Sequence, residues 1–176
     1  MLEYKLLTKE EQEKFYDQIF EMMIAGEKDF VPPLSARSST TQKDLTSNEG
    51  SMEGLRSYFE EMKSQRFMVC LDSDVLVCFL SFKENFTNDK ISDADLPNIY
   101  MSTLIMRPQY RGQKVTQTLY GKLFDLYSHA SVFTRTWSTN IPHIKILDKF
   151  DFETIATLKN DRGEGIDTVY FAKRRK

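Results

Sequence analysis

Apolar and polar positions recur with two different periods along the 176 residues, and each change of period marks an element. "LEYKLL" (2–7) reads as a short first strand. Thr8 and Glu11 then stand at capping-box spacing and open a helix with Phe15, Ile19, Met22 and Met23 on one face, which Gly26 is placed to stop. In "DFVPPLSARSSTTQKD" (29–44) two prolines forbid a continuing helix, so a hydroxyl-rich loop is expected, with Phe30 and Pro33 anchoring it to the core. A second helix follows from about Met52, with Leu55, Phe59 and Met62 facing inward. The period then shortens. "RFMVCLDSDVLVCFLSF" (66–82) predicts two central strands joined by Asp72, Ser73 and Asp74. A polar, acidic loop (83–98) leads to "IYMSTLIM" (99–106), a third central strand that stops at Arg107-Pro108. Val115, Leu119, Leu123 and Leu126 form a helical stripe. "SVFTRTW" (131–137) is another strand, "IPHIKILDKF" (141–150) a short helix, and "FETIATL" with "DTVYFAK" a closing pair around "NDRGEG" (160–165).

This order of elements predicts an α/β (α+β) domain spanning 1–176, with a mixed, mostly antiparallel central sheet and helices on both faces. Composition narrows the function classes. With 24 basic and 26 acidic side chains the formal charge is -2, which argues against a nucleic-acid binder. The basic run Lys173, Arg174, Arg175, Lys176 reads as a frayed, solvated tail. No stretch reads as a secretory signal or a membrane span, so a cytoplasmic, membrane-free protein is expected. Cys70 and Cys78 are expected as buried free thiols, and His129 and His143 alone cannot build a dedicated zinc site, so no metal is expected.

The chemistry concentrates in "MRPQYRGQKVTQTLY" (106–120), where a strand ends and a helix begins. A helix start presents unpaired N–H groups and about half a positive charge, a natural seat for phosphate. Arg111, Gly112, Gln113, Lys114, Val115 and Thr116 occupy that place, with Gly112 allowing close backbone approach and Arg111 and Lys114 adding full charges. An ordinary strand-to-helix turn with solvated bases is the competing reading.

The segment resembles the signature of the GNAT superfamily of acetyl-coenzyme-A-dependent N-acyltransferases, through Met106, Pro108, Tyr110, Arg111 and Gly112, and the element order is similar to that fold. Asn140 and "LDKFDF" (147–152) resemble the family's second element, an Asn followed by a helix ending in Tyr-x-Lys-x-Gly-Phe. Departures accompany the likeness. Lys114 and Thr116 replace the signature glycines, Leu147 the tyrosine that often acts as general acid, and Asp151 the glycine before the phenylalanine. Helical φ values at the replaced glycines would let Lys114 and Thr116 contribute to phosphate binding through charge and hydroxyl.

The resemblance implies acetyl-CoA as cosubstrate, an amine of a small molecule or protein as acceptor, and no metal. It implies that N–H groups of Leu104, Ile105 and Met106 bind the pantetheine arm and thioester, with Leu104 N–H as oxyanion donor, and that Asn140 contacts cofactor or water. Where many members carry a basic Glu, this chain has Tyr100, which as a phenol of pKa ~10 would orient a proton-carrying water with Ser102 or else pack the sheet. His143 is the candidate donor to the thiolate, with capping or packing as its alternative. Arg37 is placed to pair with a substrate carboxylate or phosphate, and Asp89, Asp93 and Asp95 to attract a cationic amine; both loops are equally readable as solvated surface. Family members often pair through sheet edges or helices, which makes a homodimer one reading, although the sequence itself leaves the oligomeric state open. A noncatalytic acyl-CoA sensor or partner-binding module is the alternative to an enzyme.

Overall fold

The computed structural model describes residues 1–37, 39–45 and 50–175. Seven strands, β1 (Leu2–Leu6), β2 (Arg66–Asp72), β3 (Val75–Glu84), β4 (Asn98–Met106), β5 (Ser131–Trp137), β6 (Glu153–Leu158) and β7 (Thr168–Lys173), form one sheet in the order β1-β2-β3-β4-β5-β7-β6. Every neighbouring pair is antiparallel except β4 and β5. Helices α1 (Lys9–Gly26) and α2 (Met52–Met62) cover one face, and α3 (Val115–Leu126) and α4 (Ile141–Lys149) the other.

Local chemistry places each boundary as its residues suggest. Thr8 accepts from Glu11 N and Glu11 returns a bond to Thr8 N, so the capping box that starts α1 is complete. Ile19, Met22 and Met23 from α1 join Leu55, Phe59 and Met62 from α2 over β2 and β3. Opposite them, Val115, Leu119 and Leu123 of α3 and Leu147 of α4 are buried on Met68, Cys78, Leu80 and Met101. Leu126, expected on the same stripe, is 54% exposed. One turn after Leu123 the inward position belongs to Tyr127, whose ring meets Phe82 edge-on at 5.4 Å.

The two cysteines are free and buried, and face each other across β2 and β3 in the register Cys70↔Cys78. The basic C-terminal run is not frayed as far as Arg175: Arg174 pairs with Asp95 at 3.3 Å, Arg175 N donates to Ser131 Oγ at 3.1 Å, and the Arg175 guanidinium donates to the Leu96 carbonyl. Free carbonyls of the 92–97 loop supply the partners that the sequence could not reveal. Lys176 lies outside the described residues. Among the described residues no helix is long and apolar enough to cross a membrane, and no cluster of three or more metal-ligating side chains forms.

Candidate active site

β4 and β5 pair only from Asn98↔Ser131 to Met101↔Thr134. Beyond that point β3 still holds β4 as far as Met106, while β5 turns away to its own antiparallel partner β7. A gap opens between the two parallel strands, and with the surrounding loops it forms a cavity of about 750 Å³. The strand edge facing it keeps backbone groups that no strand answers. Arg107 N donates to Val77 O at 2.9 Å, and the β3–β4 register runs unbroken back to Thr103↔Ser81. Alternation along an antiparallel ladder therefore turns the N–H groups of Leu104 and Met106 toward the gap, and that of Ile105 toward β3. Of the three amides expected to serve the site, Ile105 is corrected: its N–H belongs to the ladder, and its side chain packs with α1 and α2.

One mouth of the gap lies at the start of α3. Thr118 N makes the first helical bond, to Lys114 O at 3.0 Å, so the amides of Val115, Thr116 and Gln117 precede the ladder, and no side chain caps them. Gly112 has φ 77 and open space where a Cβ would stand, so the backbone is approachable there. Lys114 is not helical as expected: it has φ 59, the left-handed region. As N-cap, it must reverse the chain from the preceding turn into α3, and glycine's usual conformation falls to a lysine. Arg111 lines the cavity but is bound to Asp29 at 2.8 Å. Thr116 is buried and lines the cavity, Val115 is buried beneath it, and Gln113 folds back on Gln109 O at 3.1 Å. Exposed Lys145 and Lys149 of α4 add two cations to this wall, which the sequence reading missed.

The other mouth faces α2 and the 29–42 loop. Along β5, Thr134 and Thr136 turn to the α3 side, whereas Phe133, Arg135 and Trp137 turn to this one. Arg37 lines it from the loop, donating Nε and Nη2 to Pro32 O at 3.1 and 2.8 Å. Arg162, in the β6–β7 turn, donates to Thr168 Oγ1 and Val31 O, and Arg135 to Gln42 O and Tyr170 Oη. Burial lowers the pKa of Arg37, and burial followed by the positive charges of Arg37 and Arg135 lowers that of Arg162 to about 9. Arg135 and Arg162 were missed as well. Arg135 is the only charged residue in its strand, a readable signal, whereas Arg162 sits in a polar turn that carries none.

Tyr100 does not line the cavity. Its ring lies 4.7 Å from Phe86 among Ile91, Phe133 and Tyr170, and burial pushes its pKa to about 12. Packing is thus the role that the structure gives it, and Ser102, its expected partner, bonds instead to Gln65 Oε1 and Ser81 O. His143 does line the cavity, with Nε2 2.8 Å from Tyr120 Oη. Burial lowers its pKa to about 4, so the ring is neutral at pH 7 and no imidazolium stands ready to donate. Asn140 lines the cavity and donates to Thr136 Oγ1 at 2.9 Å. Leu147 is fully buried in the core. Asp89, Asp93 and Asp95 lie away from the cavity: Asp89 pairs with Lys90 and Asp95 with Ser92 and Arg174.

No family model and no curated protein matches the sequence. The structure, by contrast, is similar over its whole length to solved acetyltransferases. An N-acetyltransferase of Staphylococcus aureus Mu50 shares 15% identity at a TM-score of 0.64, covering 100% of this chain and 99% of its own. The yncA protein of Salmonella typhimurium, solved with its cofactor acetyl-CoA, shares 12% at 0.66, covering 99% and 94%. A GNAT-family protein of Desulfovibrio desulfuricans shares 9% at 0.67, covering 100% of both chains. At these identities the likeness shows the fold, and the fold is that of the GNAT acetyltransferases.

Proposed function

We propose that this GNAT-fold chain transfers an acetyl group from acetyl-CoA to a primary amine by direct attack on the thioester. The observation that carries the reading is the opening of β4 from β5 beside an uncapped, cation-flanked helix start. The residues fit the cosubstrate. A diphosphate takes the amides of Val115 to Gln117, with Lys114 and Arg111 beside it, and Gly112 leaves room for it. The extended arm follows the free edge of β4, where the N–H of Met106 and then of Leu104 are available. Leu104 N–H polarises the thioester carbonyl and holds the oxyanion as the C–N bond forms.

The amine enters from the opposite mouth and must arrive neutral. Asp29 is the one carboxylate lining the cavity among the described residues, and it stands at the α3 mouth bound to Arg111. Among the described residues no carboxylate base therefore lines the cavity on the acceptor side. The positive field of Arg37, Arg135 and Arg162 acts in its place by disfavouring the ammonium form. When the C–S bond breaks, the proton released by nitrogen ends on sulfur, giving amide and free CoA. His143, held neutral against Tyr120, has a positioning part in this scheme.

Release of free thiol from acetyl-CoA across a panel of small amines and peptides tests the proposal, with calorimetry of CoA binding beside it. Turnover on any amine is expected; no turnover and no heat of binding sinks the reading. The burial of Leu147 where the family often places its proton donor favours a second reading, a noncatalytic acyl-CoA sensor. CoA-induced thermal stabilisation without thiol release from any amine selects it.

A further inference from the structure

Three arginines share the acceptor mouth of the cavity, and among the described residues no carboxylate forms an ion pair with any of them. Arg37 and Arg162 are 7% and 6% exposed, and Arg135 is half-buried. The arginine ion pairs among the described residues belong to Arg66, Arg107, Arg111 and Arg174. Described partners of the three guanidiniums are backbone carbonyls, hydroxyls and aromatic rings: Arg37 lies over Phe30, Arg135 over Tyr170 and Arg162 over Trp137, at 5.7, 6.0 and 5.8 Å. None of these groups carries a formal negative charge.

Two acids of the neighbouring elements have other hydrogen-bond partners, although the charge of Asp161 still acts on Arg162. Glu61, across the mouth on α2, accepts from Thr40 and pairs with Lys83 at 3.0 Å. Asp161 accepts from Thr168 Oγ1, the hydroxyl that itself accepts from Arg162. Removing three cations from water side by side is costly unless a counter-charge arrives. Their donors are planar forks, which match the paired oxygens of a carboxylate or a phosphate.

The cosubstrate does not supply that counter-charge. Its phosphates are assigned to the start of α3, whereas the alternation of β5 puts Arg135 on the opposite face of the sheet from Thr134 and Thr136, which face α3. We infer that the acceptor amine carries an oxyanion, a carboxylate or a phosphate, that docks among Arg37, Arg135 and Arg162 and presents the nitrogen to the gap beside Leu104. This inference rests on the transferase reading for the role of the anion, though not for its binding. It also fits the missing base. The cluster stays net positive after taking up one carboxylate, so it still favours a neutral nitrogen, while an amine lacking an anion meets only repulsion.

The test uses Trp137, the only tryptophan of the chain, which lies under Arg162. Its fluorescence is titrated with succinate and, separately, with inorganic phosphate, at saturating CoA so that the α3 mouth is occupied. A saturable change is expected, strongest with whichever oxyanion the site is built for, and Arg135→Gln is expected to weaken it about tenfold or more. Arg162→Lys, which keeps the charge and loses the fork, is expected to fall between. An unchanged CoA-induced melting shift reports that each variant is folded; should Arg135→Gln fail that check, Arg162→Lys carries the comparison alone.

In parallel, thiol release is compared for matched amines: β-alanine against its amide, and O-phosphoethanolamine against ethanolamine. Preference for the anionic member of a pair supports the inference and distinguishes carboxylate from phosphate. No saturable Trp137 response to either anion overturns it, as does equal or better turnover of the neutral members in wild type and Arg135→Gln. A Trp137 response that Arg135→Gln weakens, without thiol release from any amine, leaves the anion site standing and removes the transferase reading instead.

Discussion

At the α3 mouth the cations ride on exposed side chains, Arg111 being 56% exposed and already paired with Asp29, whereas at the opposite mouth Arg37 and Arg162 are almost wholly enclosed. Both ends of the gap are positive, yet their physics differs. Exposed charges are screened by salt and exchange partners readily, which suits a diphosphate that must arrive and leave at every turnover. Enclosed guanidiniums are held by carbonyls of the 31–42 loop and cannot relax around a misfit ligand. On the proposed transferase reading, the first mouth suits a common cosubstrate and the second discrimination among acceptors.

The largest effect is expected between the mouths, where chemistry would occur. Leu104→Pro removes an N–H that faces the gap without taking a bond from the β3 ladder, and kcat is expected to fall about 10²–10³-fold. A retained CoA melting shift in the same variant separates that loss from misfolding. At the α3 mouth, replacing Arg111 and Lys114 together by Glu is expected to abolish the CoA melting shift, which for the wild type reports a stabilisation of about 2.7 kcal/mol at ~100 Kd. An unchanged shift would refute the phosphate assignment. Raising the ionic strength is expected to weaken CoA binding more than succinate binding; the reverse order would erase the proposed distinction.

The strand-turn-helix at the α3 mouth was legible in the sequence because its parts are neighbours: the apolar run, Pro108, Gly112 and the stripe from Val115 all fall within one short segment. Its conformational detail was not, since nothing in the residue type of Lys114 announces φ 59. The other mouth was legible only in Arg37. Arg135 and Arg162 reach it because β5 pairs with β7, which brings the β6–β7 turn beside the 31–42 loop, a juxtaposition of residues 131 positions apart in the bond from Arg162 to Val31. Of the two readings of Tyr100, orienting a water or packing the sheet, the sequence could not choose, because Phe86 and Ile91 reach it only when the 85–97 loop folds over it.

Smaller effects sharpen the α3 side further. His143 titrates at about 4 when folded against ~6.5 unfolded, so the unfolded chain binds more protons in between. Its contribution is fully present above pH ~6.5 and is lost as pH falls toward 4. Urea midpoints measured across that window are expected to decline with acidification, and less steeply in His143→Gln. Turnover is expected to show no limb near pH 6.5 from this residue. Least in size, Asp151 closes α4 with φ 60, a conformation that glycine adopts freely. Asp151→Gly is expected to stabilise the fold by about 0.5–1 kcal/mol, read as a small rise in Tm.

The facing pair Cys70 and Cys78 bears on how such measurements can be made. Both sulfurs are sealed inside the sheet, and burial drives the Cys78 thiol far above the range in which thiolate forms. A chromogenic disulfide reagent added to the native protein therefore meets no competing sulfhydryl, and the colour it develops counts coenzyme alone.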